Sequence, residues 1–521
     1  MSKKKISFDT DKVPIFSSIA IVLVVVFYLI IHLAKLTNLP VFADEAIYIR
    51  WTQLIMDDPG RYLFFPMNDG KPPLHMWLML PFQYLFNDQL YAGRFLSVLV
   101  GLVQIFVLAA LVRSLGGRKK ATYLSMIFGS IVPFWYLHHR MALIDALMTL
   151  FLSLCLLFLI KLSQKITTIH AIFAGLFFGL ALLSKLPAIL FVFAFSILAI
   201  LLKKRTELPR YLFFTAFSLL FGLVVFASLK IHPAFGQLFA RGGDFLYPLN
   251  DFFTGKTILS SFGNLLRFSD YILSYQTWPL VVFSFIGLFQ PKTQKQQFVL
   301  WLLTLSFLAP IVLLGKVVYP RYLLPVAIFI TTSAVIALQG VSETVANLSS
   351  MPKKAALSLL TVFLISITTQ QSVNFIYNSI NDYEKIPFNI ADKSQYLYEW
   401  SAGYGIKEVT SFIQEAASNQ RVSMATEGYF GTLPDGILMY LHARDVSNIF
   451  VEGIGQPVMQ IPDSFVKQAA GSDRVLLLVN SHRLKMSMDQ STLLREYCRP
   501  ANPNSSDGPQ CLQLWDITQK I

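Results

Sequence analysis

A chain of 521 residues with 43 Lys and Arg against 30 Asp and Glu carries a formal charge of +13, yet only 14% of it is charged and 54% is hydrophobic. Soluble domains run at about 25% charged, and 45 Phe with 21 Tyr push the balance further toward apolar. This composition excludes a disordered protein, a disulfide scaffold and an ordinary soluble enzyme, and points to a polytopic membrane protein with a soluble part attached.

Apolar runs near 14–36, 93–112, 121–138, 142–160, 168–184, 187–202, 211–229, 271–290, 297–315, 322–339 and 355–372 read as eleven membrane spans. The first is too long for a signal peptide and lacks a small-residue cleavage site after it. The stretch 168–202 divides at Ser184-Lys185-Leu186-Pro187, because Pro breaks a helix and a Lys is costly at the bilayer centre. Lys3, Lys4, Lys5 and Lys12 precede the first span, and the alternate loops hold Arg113–Lys120, Lys161–Lys165, Lys203–Arg210, Lys292–Lys295 and Lys353–Lys354. By the positive-inside rule the N-terminus is cytoplasmic and an odd number of spans places the C-terminal region outside. The surplus positive charge belongs to these inner loops and does not indicate nucleic acid.

Three regions do not span. Loop 37–92 contains two amphipathic pieces, Ala46–Met56 and Leu74–Phe86, the second interfacial or re-entrant. Loop 230–270 is rich in aromatics and Gly. Residues 373–521 turn polar, with strands expected at Arg421–Thr426, Ser447–Val451, Arg474–Val479 and Cys511–Asp516, and helices at Ile406–Ala417, Leu433–His442 and Asp463–Ala469. The fold class is an α-helical polytopic membrane module, residues 1–372, followed by an extracytoplasmic α/β domain, residues 373–521. That domain reads as an independent unit tethered by the polar stretch Asn381–Asn389, lying over the outer mouth and shaping acceptor access without entering the chemistry. Cys155 lies in an apolar run, whereas Cys498 and Cys511 form one disulfide in an oxidising compartment or remain two free thiols.

Topology brings charged span ends to one outer level: Asp44, Glu45, Lys71, Arg94, Arg140, Asp145, Lys185, Lys230, Lys316 and Arg321. Snorkelling accounts for a single Lys or Arg there. It does not account for Asp145, which opens an apolar helix and needs a partner, for which Arg140 is a candidate. Asp44-Glu45 follows the first span and suits a helix N-cap, a general base or a metal-ligand pair. In Asp69-Gly70-Lys71-Pro72-Pro73, the two prolines stiffen the chain beside Lys71.

In order and spacing, Asp44-Glu45, Lys71-Pro72-Pro73-Leu74, Arg94, Arg140–Asp145, Gly175–Lys185 and Arg321–Pro325 resemble the GT-C glycosyltransferases, most of all the protein O-mannosyltransferase and aminoarabinose–lipid A transferase group. The resemblance spans roughly residues 14–340. It implies the GT-C fold, a polyprenyl-phosphate sugar donor, an acceptor at the outer face of the cell membrane and inversion at the anomeric carbon. It also implies that Asp44 is the catalytic base, with Glu45 and Asp145 beside it. Lys71, Arg140, Lys185, Arg321 and Tyr322 fall around the donor phosphate, and Arg94 is a supporting position. His75, His138 and His139 match no pattern position and read as interfacial, with His75 also a supporting candidate.

The chemistry agrees with that set. A leaving monophosphate needs cations to receive its charge and hardly needs a general acid, while an acceptor hydroxyl needs a carboxylate for its proton. No cofactor is required, although Asp44 with Glu45 leaves a divalent metal open. Two other classes compete: a transporter or flippase of lipid-linked sugars, and a non-catalytic envelope assembly protein. A transporter would gather ionisable groups at the midplane of repeated halves, whereas these charges lie at one face and no halves repeat.

Overall fold

The computed structural model describes residues 15–442, 447–506 and 508–520, so Lys3, Lys4, Lys5 and Lys12 lie outside the described residues. The main helices are α1 (Ile15–Leu33), α2 (Ala43–Asp57), α3 (Leu74–Leu85), α4 (Gln89–Ser114), α5 (Lys119–Ile131), α6 (Pro133–His138), α7 (Ile144–Gln164) and α8 (Thr168–Ser184). There follow α9 (Leu208–Ala227), α10 (Ile258–Tyr275), α11 (Trp278–Gly287), α12 (Gln294–Leu314), α13 (Leu324–Asn347) and α14 (Met351–Asn381), then α15 (Ile406–Ala417), α16 (Asp435–Leu441) and α17 (Asp463–Ala469) in the tail.

Among the described residues six helical stretches are long and apolar enough to cross a membrane: Gln89–Ser114, Ile144–Gln164, Arg205–Ile231, Gln294–Leu314, Pro320–Asn347 and Met351–Asn381. Shorter apolar helices occupy Ser18–Leu33, Thr168–Ser184, Leu186–Leu201 and Trp278–Gly287. This is a multi-pass membrane protein. The apolar windows of α7 and α13 are 78% and 89% buried, against 17% for α14, which makes α7 and α13 central and α14 peripheral.

Local chemistry explains where the helices differ from the expected spans. Pro133 opens α6, so 121–138 is broken at Val132, and α6 is buried throughout. The 13 residues of α5 rise about 20 Å, short of a bilayer core. The stretch expected at 271–290 is likewise two helices, separated at Thr277 (φ 61°) just before Pro279. Its first piece, α10, begins at Ile258, inside the expected loop 230–270. The divide after Ser184 is present, with Leu186–Val192 continuing as a 3-10 helix. Residues 373–381, expected in the tail, are the last turns of α14.

The tail holds a five-stranded sheet of order β2-β1-β3-β5-β4, formed by β1 (Val422–Thr426), β2 (Ile449–Gly453), β3 (Arg474–Asn480), β4 (Leu493–Cys498) and β5 (Cys511–Asp516). β1 runs parallel to β2 and β3, and β5 is antiparallel to β3 and β4. β4 was not foreseen: it is an edge strand with exposed Arg495 and Glu496, so it lacks the apolar alternation that marks a half-buried strand. Cys498 and Cys511 face each other across β4 and β5 and form a disulfide.

One face of the tail sheet has a small core of its own, around Phe465, Val475, Leu477 and Trp515, and the other face joins the main core. One apolar cluster runs without a break from Ala46 and Ile49 of α2 to Ile406, Ile413, Ile437 and Leu476 of the tail. Gln53 Nε2 of α2 donates to the Met439 carbonyl at 2.9 Å, and Lys407 pairs with Asp88 at 3.0 Å. The α/β unit expected in the tail is thus packed against loop 37–92.

Candidate functional site

α2 begins where the chain leaves α1, and the tail holds its first turn in place. Ala43 N donates to the Ser401 carbonyl at 3.0 Å, and Gly403 N donates to the Val41 carbonyl at 2.8 Å. A Cβ on Gly403 would come within 2.5 Å of Val41, so this close approach needs glycine.

Successive helical side chains point about 100° apart, and Asp44 and Glu45 therefore enter different surroundings. Glu45 is fully buried. Its Oε1 accepts from Arg94 Nε at 2.8 Å and Ala142 N at 2.7 Å, and its Oε2 accepts from Arg94 Nη2 at 2.7 Å and Phe42 N at 3.1 Å. Arg94 also donates to the carbonyls of Leu36, Leu39 and Pro40. The pair thus binds loop 36–42, α4 and the start of α7 into one frame. With four donors on Glu45, the Asp44–Glu45 pair does not offer a cation two free carboxylates.

Asp44 turns the other way and is 29% accessible, against 2% for Asp145. Its Oδ2 accepts from Arg321 Nη2 at 3.0 Å, while Arg321 Nη1 donates to Gln395 Oε1 at 2.7 Å. The guanidinium lies among the rings of Phe42, Tyr319 and Tyr322, 5.1, 5.1 and 5.7 Å from their centres. Asp145, in the first turn of α7, is favoured by that helix's dipole and accepts from Lys185 Nζ at 2.6 Å. Lys185 stands 4.7 Å from the Tyr322 ring centre, so one tyrosine separates the two cations. Among the described residues Lys71 has no carboxylate within 4 Å; it lies 5.8 Å from the Phe245 ring centre and its charge reaches Lys185.

Asp44, Asp145, Lys71, Lys185, Arg321 and Tyr322 therefore come together as one acidic and cationic cluster. Arg140 is placed differently. Its partner is not Asp145: Nη1 and Nη2 donate to the carbonyls of Ile31, His32, Ala34 and Lys35, closing the C-terminal end of α1. His75 is buried beside Tyr48, and burial pushes its imidazole down to about 4, which leaves it neutral at physiological pH. His138 and His139 are buried too, not interfacial. Lys230 and Lys316 serve loop 230–270, the first over Phe235 and the second donating to the Gly243 carbonyl.

Sequence reasoning missed the tail's contribution. Gln395 and Tyr396 sit at Arg321, and Asp392 accepts from the Tyr275 hydroxyl at 2.5 Å. Burial raises Asp392 to about 7. No motif marks these residues, which lie between the expected tether Asn381–Asn389 and the first expected tail helix.

The architecture is that of the GT-C proteins. The structure of ArnT from Cupriavidus metallidurans in the apo state matches with a TM-score of 0.59 at 15% identity, over 96% of this chain and 98% of that one. The same protein bound to undecaprenyl phosphate matches at 0.57 and 15%, over 95% and 97%. The Archaeoglobus fulgidus oligosaccharyltransferase in the apo form matches at 0.51 and 12%, over 89% and 69%. In sequence, residues 70–232, less than a third of the chain, match the family model of the Dolichyl-phosphate-mannose-protein mannosyltransferases. No curated protein matches the sequence.

Proposed function

We propose that the protein is a membrane glycosyltransferase that moves a sugar from a polyprenyl-phosphate donor to an acceptor at the outer face of the cell membrane, with inversion. The observation that carries this reading is the accessible Asp44 carboxylate held 3.0 Å from Arg321 beside Lys185 and Lys71. Three cations around one monophosphate supply the charge that its departure requires. The family match over 70–232 and the undecaprenyl phosphate bound to the ArnT of like fold support a lipid-phosphate donor.

In the proposed step the acceptor oxygen attacks the anomeric carbon from the side opposite the phosphate. Its proton passes to Asp44, the bond from the anomeric carbon to the phosphate oxygen breaks, and the electron pair leaves with the phosphate toward Arg321, Lys185 and Lys71. Asp145 anchors Lys185, and Glu45 with Arg94 fixes the turn that aims Asp44. An apolar cleft of about 420 Å³ between Phe252, Phe253 and Pro310 of α12 adjoins the loop whose Phe245 covers Lys71, and suits the lipid chain. The basic inner loops support a cytoplasmic N-terminus and an outer tail.

The test is Asp44→Asn in the full-length protein. Transfer falls by about 100-fold or more while undecaprenyl phosphate binds as in the wild type, because the carboxylate acts on the acceptor proton. Wild-type transfer in this variant would remove Asp44 as the base.

A further inference from the structure

The side chain that aims Arg321 comes from the tail. Gln395 is buried, and its amide oxygen takes one terminal nitrogen of the Arg321 guanidinium at 2.7 Å while the other faces Asp44 at 3.0 Å. A guanidinium is a planar, rigid fork, so fixing one nitrogen sets the direction of the second. Gln395 lies in a π-helical turn, Ser394–Tyr398, a geometry that concentrates at functional positions.

Both ends of this turn are tied to the membrane module. On one side Asn389 N donates to the Tyr275 hydroxyl, which in turn donates to Asp392. On the other, Ser401 Oγ donates to the Gln395 carbonyl at 2.8 Å, and the Ser401 carbonyl receives Ala43 N, one residue before Asp44. The segment therefore spans from α10 to the base.

We infer that Gln395 is a positioning residue of the transfer reaction, acting through Arg321, and that residues 389–402 are part of the reaction site and not a cover above it. The inference rests on the donor reading proposed above. The residue type is informative: an amide oxygen orients a guanidinium without neutralising it, whereas a carboxylate at the same place would form a second ion pair and draw the cation's field away from the phosphate. Neutrality at 395 leaves Asp44 as the anion directly hydrogen-bonded to Arg321.

The experiment is a double-mutant cycle in the detergent-solubilised full chain, with undecaprenyl phosphate as the probe and the melting temperature as control. Gln395→Ala and the near-isosteric Gln395→Met weaken binding about 10-fold at near wild-type melting temperature, and Gln395→Glu weakens it more than either. In an Arg321→Ala background, Gln395→Ala has no further effect, since the two residues act as a unit. Additive losses in the double variant would mean that Gln395 serves the fold alone and would overturn the inference. So would wild-type affinity in Gln395→Ala beside weakened binding in Arg321→Ala. A wild-type protein that binds no polyprenyl phosphate would overturn the donor reading and this inference with it.

Discussion

Asp44 and Glu45 are adjacent carboxylates whose environments separate their roles. Glu45 has no accessible surface and four hydrogen bonds, whereas Asp44 reaches the outer cluster with one ion pair. Removing one partner of a buried, hydrogen-bonded pair leaves an uncompensated charge and costs about 3–5 kcal/mol. Glu45→Ala is therefore expected to lower the unfolding free energy by about that amount, while Asp44→Asn melts within a degree or two of the wild type. Thermal unfolding in detergent checks the contrast, and equal melting of Glu45→Ala and wild type would contradict it. Asp392 adds a pH dependence. Burial raises it to about 7, above an unfolded value near 4, so between those pH values the folded state holds the extra proton. Its contribution to stability is complete below about pH 4 and is lost as pH rises through 7. Asp392→Asn keeps an oxygen for the Tyr275 hydroxyl and cannot ionise. Its stability relative to wild type should rise from pH 4 to 8, by on the order of 4 kcal/mol at full ionisation. A difference independent of pH would contradict the assignment.

At the scale of elements, Arg140 decides how α1 ends. The last carbonyls of a helix lack partners, and here one guanidinium takes those of Ile31 and His32 together with those of Ala34 and Lys35 in the turn that follows. Arg140→Ala should cost about 3 kcal/mol of stability and leave undecaprenyl phosphate affinity within twofold of wild type. Weakened binding at unchanged stability would return Arg140 to the phosphate site. Length and apolarity were enough to find the long helices, and short apolar runs bounded by polar residues found β1, β3 and β5 nearly to the residue. The break at Val132 was hidden because the apolar run continues through it, whereas at Thr277 the polar Gln276-Thr277 and Pro279 were outweighed by the apolar residues on either side. The partnership of Asp145 with Lys185 depends on how α7 and α8 pack, so spacing along the chain pointed to Arg140 instead. Asp44, Lys71, Lys185 and Arg321 were legible as charges at span ends in a familiar order. Gln395 was not, since a glutamine in a polar stretch differs from solvated linker only by what it touches.

At the scale of the whole molecule, the tail and the membrane module share one apolar cluster and meet at Arg321 and Ala43. Deleting residues 382–521 removes Gln395 from Arg321 and Ser401 from Ala43, and it bares the face of α2 that Ile406 and Ile437 cover. The truncated chain should lose undecaprenyl phosphate binding and melt well below the full chain. A folded truncation with wild-type affinity would restore the tail to a free-standing cover. Sugar transfer from a lipid phosphate with Asp44 as base has its sharpest test in mass spectrometry of the lipids, glycans and proteins of the cell envelope. Cells carrying the wild-type protein are compared with cells carrying Asp44→Asn at equal abundance. One glycosylated species should disappear in the variant while a polyprenyl-phosphate sugar accumulates. Identical profiles in the two strains would contradict it.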